Sequence, residues 1–186
     1  MHLALYLPGG ALPGQDAFAA PLAYLSIRAL EDAGATVVPV RYDDHVLAPD
    51  RERFEGSVRR EILGALSFCR PDRVTLLGKS RGTHALRLVC VEDFGLPPDT
   101  RLIWQTPVWK SDESWEAARS TALESLYVVG LADHQYHDAE RHAQLPGETV
   151  AIAGGDHGLE VAGDVLATIN AWRTNAEAIK RFAERI

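Results

Sequence analysis

Short, almost continuous apolar runs alternate along this chain with longer segments in which apolar residues recur every three or four positions. A short apolar run rich in Val, Ile and Leu is typical of a strand that is covered on both faces of its sheet. Strands that alternate with helices predict βαβ units and therefore a mostly parallel sheet. The six predicted strands are Leu3–Leu7, Thr36–Val40, Val74–Leu77, Leu102–Gln105, Leu126–Val129 and Thr149–Ala153.

We expect one α/β domain over residues 1–186, because a chain of this length buries a sizeable core without disulfides or metals. The predicted fold is a three-layer α/β/α sandwich, and its six-stranded, mostly parallel sheet has the spatial order 2-1-3-4-5-6. The stretch Thr106–Ala122 is the least regular part of the pattern, and it fits either a small cap or an active-site loop. The segments with helical periodicity are Phe18–Leu30, Phe54–Cys69, Ala85–Cys90 and Val165–Ile186.

The stretch Gly78–Gly82 reads GKSRG, which fits the pattern GxSxG, and it lies between an apolar strand and a helix. A strand that turns abruptly into a helix crowds the backbone around the central serine, so the positions two residues away on either side must lack side chains. Such a turn exposes the serine hydroxyl above the sheet edge, and the helix N-terminus favours negative charge there. The pattern therefore predicts Ser80 as a nucleophile.

Two other interpretations fit parts of the same stretch. Gly78-Lys79-Ser80 also ends a P-loop pattern, but Arg73 stands where that pattern requires its first glycine. The residues between them form a predicted strand and not a glycine-rich loop. The remaining interpretation is a tight turn whose serine has no chemical role.

A serine nucleophile needs a base, and the base needs an acid that orients it. His157 follows the sixth predicted strand in a glycine-rich loop, and Asp133 follows the fifth. Because the carboxyl ends of parallel strands meet at one edge of the sheet, we expect both side chains to reach Ser80 there. Asp138 and Asp156 are competing carboxylates. Asp156 directly precedes the histidine and is expected to cap its own loop or the next helix.

These motifs resemble those of the α/β-hydrolases, in a short form that would lack the first two strands of the full fold. The resemblance rests on the GxSxG at Gly78–Gly82, on the GxxD that ends at Asp133, and on the GGDH at Gly154–His157. It extends from Pro8 to Gly158 and so covers most of the chain. It implies a cofactor-free serine hydrolase that cleaves an ester, thioester or related acyl bond of a small molecule through an acyl-enzyme.

Under this resemblance Ser80 would be the nucleophile, Asp133 the acid of the catalytic triad and His157 the general base. Gly78 and Gly82 would form the nucleophile elbow.

The resemblance also implies an oxyanion hole made of two backbone N–H groups. One would belong to Arg81, which follows the nucleophile, and the other to Gly10 in the first strand–helix loop. That loop begins Pro8-Gly9 where the family usually has His-Gly, so a neighbour of Gly10 stays open as the second donor.

Several other side chains near these motifs have two interpretations each. The cluster of His134, His137 and His142 fits either a metal site or an exposed surface segment, and we expect the surface segment. Trp109 fits either an apolar wall of the substrate crevice or core packing. His84 lies one helical turn past the nucleophile and is expected to be a packed polar side chain.

Two cations, Lys79 and Arg81, flank the serine of an otherwise acidic chain. Both could turn outward and pair with surface carboxylates such as Asp112 or Glu113. Alternatively, Arg81 reaches the crevice and attracts acyl groups that carry a carboxylate.

Composition excludes several classes of protein. The net charge is −7, from 19 Lys and Arg against 26 Asp and Glu, and basic residues do not cluster, so we expect no nucleic-acid partner. No apolar stretch approaches the roughly 18 residues of a membrane span. The first apolar run stops at Pro8 and no basic residue precedes Arg28, which favours a strand over a signal peptide. The two cysteines, Cys69 and Cys90, lie in apolar helical stretches, where cysteine usually acts as a small apolar side chain. Because neither requires an oxidising compartment, we expect a cytoplasmic protein. The oligomeric state stays open.

Two functions from other classes are the alternatives to a hydrolase. The first is a non-catalytic module of the same fold that binds a ligand in the crevice. The second is a nucleotide-binding α/β protein that uses the loop Gly9–Gly14, but Ala11 stands where the GxGxxG pattern requires its second glycine.

Overall fold

The computed structural model describes residues 1–10, 18, 20–42 and 51–185. In this part of the chain six strands alternate with six helices. The strands are β1 (His2–Leu7), β2 (Thr36–Pro39), β3 (Arg73–Lys79), β4 (Asp99–Gln105), β5 (Glu124–Gly130) and β6 (Glu148–Ile152). The helices are α1 (Pro21–Asp32), α2 (Arg51–Cys69), α3 (Gly82–Val91), α4 (Asp112–Ser120), α5 (Ala139–His142) and α6 (Val165–Glu184).

All neighbouring strands pair in parallel, in the order β2-β1-β3-β4-β5-β6. This confirms the predicted fold class and strand order. The register aligns the ends of the strands: Leu7 of β1 lies opposite Gly78 of β3, and Lys79 lies opposite Gln105 of β4. The loops that follow β1, β3, β5 and β6 therefore leave the sheet at one edge, where the predicted site residues lie.

The core lies on both faces of the sheet. Because successive side chains of a strand point to opposite faces, β1 places Leu3, Leu5 and Leu7 against α2 and α3. Its intervening residues, Ala4 and Tyr6, pack with α1 and α6. Burial on both faces explains why the strands read as continuous apolar runs.

The stretch Thr106–Ala122 contains a connection over residues 106–111 and the crossover helix α4, so the alternative of a small cap is wrong. Ser111 caps α4 by accepting a hydrogen bond from the Ser114 N–H at 3.4 Å. The buried side of α4 consists of Ser114, Ala117 and Ala118. These side chains are too small and too polar to produce an apolar period in the sequence, which is why the helix was not predicted.

Candidate active site

The turn from β3 into α3 holds Ser80 in a left-handed backbone conformation with φ +51°. For a residue with a side chain this conformation costs roughly 1–2 kcal/mol, and surrounding contacts must enforce it. A Cβ atom on Gly78 would lie 2.6 Å from the Gly82 carbonyl oxygen, and one on Gly82 would overlap the carbonyl oxygen of Leu7. Both glycines of the motif are therefore required by the close approach of backbone to backbone.

Hydrogen bonds fix the backbone of Ser80 on both sides. Its N–H donates to the Gln105 carbonyl oxygen at 2.9 Å, which ties the turn to the end of β4. Its own carbonyl oxygen accepts from the Thr83 N–H at 2.9 Å and from Thr83 Oγ1 at 2.6 Å. Thr83 is buried, and its role in holding the turn was not anticipated from the sequence.

Ser80, His157 and Asp133 come together in one hydrogen-bonded chain at the carboxyl edge of the sheet. His157 Nε2 lies 2.6 Å from Ser80 Oγ, and His157 Nδ1 lies 2.6 Å from Asp133 Oδ2. The Asp133 side chain is 4% exposed, and its second oxygen accepts from the Tyr136 N–H at 3.2 Å. A hydroxyl, an imidazole and a carboxylate are thus linked by hydrogen bonds, an arrangement that can support acyl transfer.

The environment of His157 favours the neutral imidazole. Burial lowers the pKa of His157 below its ordinary value, and the positive charge of Lys79 lowers it further. The hydrogen bond that Asp133 accepts from His157 and the charges of Asp133 and Asp156 oppose this shift. A neutral imidazole can accept a proton from a hydroxyl, so the shift is in the direction that a general base needs.

The competing carboxylates, Asp156 and Asp138, serve their own backbone segments. Asp156 Oδ1 accepts from the N–H groups of Gly158 at 2.7 Å and Glu160 at 2.9 Å, which holds the loop around the histidine. Asp138 caps α5 by accepting from the Arg141 N–H at 3.0 Å. Neither contacts the imidazole of His157 in the described part of the chain.

The loop after β1 lies beside the turn. A Cβ atom on Gly9, which is buried, would lie 3.2 Å from Ser80 Cβ. Gly10 is exposed and lies against the Arg81 side chain, since a Cβ there would be 2.8 Å from Arg81 Cζ. Among the described residues the Gly10 N–H has no hydrogen-bond partner. Residues 11–14, the rest of the loop considered for nucleotide binding, lie outside the described residues.

Two aromatic side chains hold the histidine loop, and sequence reasoning missed both roles. The Tyr136 ring lies over the His157 ring with 4.4 Å between centroids. Trp172 of α6 donates from Nε1 to the Gly158 carbonyl oxygen at 3.0 Å. In the sequence, the feature that pointed to a role for Tyr136 was its position three residues after Asp133.

Trp109 lies in the core, so its interpretation as a wall of the substrate crevice is wrong. Its side chain is fully buried, with ring centroids 5.7 Å from Trp104 and 5.9 Å from Tyr127. This packing leaves no face of the indole open to a substrate.

The histidine cluster is partly packed under this aromatic group. The His142 ring lies 6.0 Å from the Tyr127 ring and 5.5 Å from the His137 ring, whereas His134 is exposed. Burial lowers the pKa of His142 to about 4. In the described residues, no group of three or more His, Cys, Asp or Glu side chains is arranged to hold a metal ion.

A cavity of about 420 Å³ opens between the first turns of α2, α3 and α4, at the same edge of the sheet. His84, one turn past Ser80, lines it, and its Nδ1 and Ser114 Oγ share a hydrogen bond of 3.0 Å. The other lining residues are mostly charged: Arg51, Phe54, Glu55, Arg87, Ser111, Asp112 and Glu113.

The surface carboxylates considered as partners for Lys79 and Arg81 are bound elsewhere. Glu113 pairs with Arg51 at 2.6 Å, and Asp112 pairs with Arg141 at 2.5 Å. The alternative in which Lys79 turns outward to pair with them is wrong, because this side chain turns inward towards the His157 loop.

Comparison with known proteins identifies the fold. No protein-family model and no curated protein matches the sequence. Among solved structures, a lidless α/β serine hydrolase from Xanthomonas campestris matches with a TM-score of 0.66 and 17% identity, over 100% of this chain and 84% of that one. An esterase domain from Rhodothermus marinus matches with a TM-score of 0.61 and 15% identity, over 99% and 85% of the two chains.

A third match is Est1E from Butyrivibrio proteoclasticus with bound ferulic acid, with a TM-score of 0.69 and 12% identity over 98% of this chain and 88% of that one. The chain therefore has the α/β-hydrolase fold. None of the described helices has the length and apolarity to cross a membrane.

Proposed function

We propose that this protein is a serine hydrolase that cleaves an ester, thioester or related acyl bond of a small molecule. The observation that carries the proposal is the chain of two 2.6 Å hydrogen bonds from Ser80 through His157 to Asp133. The strained turn at Ser80 is a second support, because its φ of +51° raises a hydroxyl above the sheet edge at a cost in folding energy.

In the proposed reaction, Ser80 Oγ attacks the carbonyl carbon while His157 Nε2 accepts its proton. Asp133 Oδ2 accepts a hydrogen bond from the Nδ1–H of His157, which fixes the imidazole tautomer and stabilises the imidazolium. Collapse of the tetrahedral intermediate breaks the acyl bond, and the Nε2 proton passes to the leaving group. A water molecule, deprotonated by the same nitrogen, then attacks the acyl carbon. The bond to Ser80 Oγ breaks, Oγ takes the proton back from Nε2, and the acid is released.

The developing oxyanion would be stabilised by the backbone N–H groups of Arg81 and Gly10. The first lies at the N-terminus of α3, where backbone donors and the helix dipole favour negative charge. The second belongs to the loop against the Arg81 side chain and has no other partner among the described residues. Each such donor contributes about 3 kcal/mol to the transition state in enzymes of this type.

The charge on Arg81 suggests a preference for acyl groups that carry a carboxylate. Its guanidinium lies beside Gly10, at the mouth of the proposed oxyanion hole. We expect a higher kcat/KM for a succinyl ester than for its neutral isostere at low salt, and a loss of this preference in Arg81→Gln. The difference should shrink as the ionic strength rises towards about 0.5 M, where the Debye length is a few Å. Equal values for the two esters in the wild type would discard the preference.

A cytoplasmic location remains part of the proposal. Cys69 and Cys90 are both free thiols, as in most proteins of a reducing compartment. The net charge of −7 argues against nucleic acid as a partner.

Hydrolysis of 4-nitrophenyl acetate and butyrate tests the proposal, with Ser80→Ala and His157→Ala as variants. We expect turnover in the wild type, a pre-steady-state burst of nitrophenol of about one per chain where deacylation is slower, and a loss of about 10³-fold or more in each variant. A wild type with no turnover on any ester, or a His157→Ala variant that keeps more than about a tenth of the rate, would refute it. The first result would favour a non-catalytic binding module.

A further inference from the structure

Lys79, the residue before the proposed nucleophile, turns into the site. Its Nζ donates to the His157 carbonyl oxygen at 3.5 Å. Its stem runs beside the loop after β1, since a Cβ on Gly9 would lie 3.5 Å from Lys79 Cδ. The side chain is half-buried, although a lysine at a strand end can usually extend its ammonium group into water.

Burial of this ammonium group costs free energy unless opposite charges compensate for it. Burial lowers the pKa of Lys79, and the charges of Asp133 and Asp156 oppose that shift. Within the described residues no carboxylate oxygen lies within 4.0 Å of Lys79 Nζ, so the compensation acts through space and through the His157 carbonyl.

We infer that Lys79 is a positioning residue for His157: its ammonium group holds the backbone of the histidine loop and keeps a positive charge beside the imidazole, which favours the neutral base. The inference rests on the proposed function, because a neutral imidazole matters to a hydrolase and not to a passive binding site.

The charges around His157 set the sign of the effect. Asp133 and Asp156 are negative and favour the imidazolium, the Ser80 hydroxyl and the Tyr136 ring are neutral, and Lys79 is positive. Of these groups, Lys79 is the one cation. A neutral side chain at position 79 therefore leaves two carboxylates unopposed, and the pKa of His157 rises.

Nuclear magnetic resonance titration of the His157 ring protons tests the inference without relying on turnover. His157→Gln assigns the resonance among the seven histidines. In Lys79→Met and Lys79→Gln we expect the pKa of His157 to rise by about half a pH unit or more, since the ammonium group 3.5 Å from the carbonyl oxygen of the same residue no longer opposes the imidazolium. Lys79→Arg, which keeps the charge, should stay close to the wild type.

Lys110→Met is the matched control, because Lys110 also donates to a backbone carbonyl, that of His134, but does so on the exposed surface. It should leave the titration of His157 unchanged. In Lys79→Met and Lys79→Gln, the acid limb of the pH profile of kcat/KM should move to higher pH by the same amount as the pKa of His157. A purely structural role would lower the rate at every pH and leave the limb in place.

The outcomes separate this inference from the proposed function. A pKa of His157 that stays within about 0.2 units of the wild type in both neutral variants, with folding verified by their spectra, overturns the role of Lys79 even if the enzyme is active. A raised pKa in a protein that hydrolyses no ester supports the electrostatic effect and refutes the function instead.

Discussion

Gly82 lies so close to the carbonyl group of Leu7 that a Cβ atom at position 82 would overlap its oxygen. At this contact the first turn of α3 and the end of β1 approach each other backbone to backbone. Backbone atoms cannot move aside as a flexible side chain can.

Gly82→Ala should therefore destabilise the protein by about 2–3 kcal/mol, as overpacking in a core does. Gly64→Ala is the matched control: Gly64 lies on the exposed side of α2, and a Cβ there meets nothing within 4 Å. That change should stabilise the protein by roughly 0.5–1 kcal/mol, because alanine is the better helix former. Denaturant unfolding measures the free energy of unfolding of Gly82→Ala and Gly64→Ala. Equal values for the two variants would show that the turn can relax around the added methyl group.

Replacing Ser80 by glycine should give a more stable protein than replacing it by alanine. Both variants lose the hydroxyl, but alanine must still adopt the left-handed conformation with φ near +51°. Glycine adopts it freely, so we expect a difference of about 1 kcal/mol in favour of Ser80→Gly. Denaturant midpoints of the two variants test this. A more stable Ser80→Ala would mean that the turn carries no strain.

Asp133→Asn should reduce kcat/KM far more than Asp156→Asn or Asp138→Asn. At position 133 an amide no longer stabilises the imidazolium and can favour the wrong tautomer, so we expect a loss of about 10³-fold or more. At positions 156 and 138 the side chain accepts hydrogen bonds from backbone N–H groups, which an amide oxygen can also do. Steady-state measurements of kcat/KM for the three variants test this order. If Asp156→Asn is the most damaging, the assignment of the acid is wrong although the reaction class survives.

The stability of the protein should decrease as the pH falls from about 6.5 towards 4, in part because of His142. Burial holds the pKa of this side chain at about 4 in the folded state. The unfolded chain takes up the proton near pH 6.5, so below that pH protonation favours unfolding. His142→Gln should reduce the loss of stability between pH 7 and 5 by about 1 kcal/mol, a figure discounted for the partial exposure of the ring.

Urea unfolding of the wild type and of His142→Gln at the two pH values measures this effect. Identical pH dependence in the two proteins would show that the ring binds its proton as readily in the folded as in the unfolded protein.

The fold was predictable because the apolar pattern of each strand reports its burial. Leu3, Leu5 and Leu7 serve one face of the sheet, and Ala4 and Tyr6 serve the other, so β1 is apolar throughout. Helix α4 was not predictable in this way, because its buried side is made of Ser114, Ala117 and Ala118.

The membership of the candidate site followed from strand ends, but the directions of its side chains did not. Ser80, Asp133 and His157 come together because parallel strands end at one edge. The inward turn of Lys79 brings its Nζ to the carbonyl oxygen of His157, 78 residues later in the sequence. Likewise, the burial of Trp109 depends on partners from β4 and β5.

Covalent labelling with a fluorophosphonate tests the central claim most directly, because this probe reacts with a serine that is activated as a nucleophile. Intact-mass spectrometry of the folded wild type should show one added probe per chain, and peptide mapping should locate it on Ser80. Labelling should be absent in Ser80→Ala and strongly reduced in His157→Ala, since the base activates the hydroxyl. A folded wild type that takes up no probe, or a label that persists in Ser80→Ala, would contradict the account.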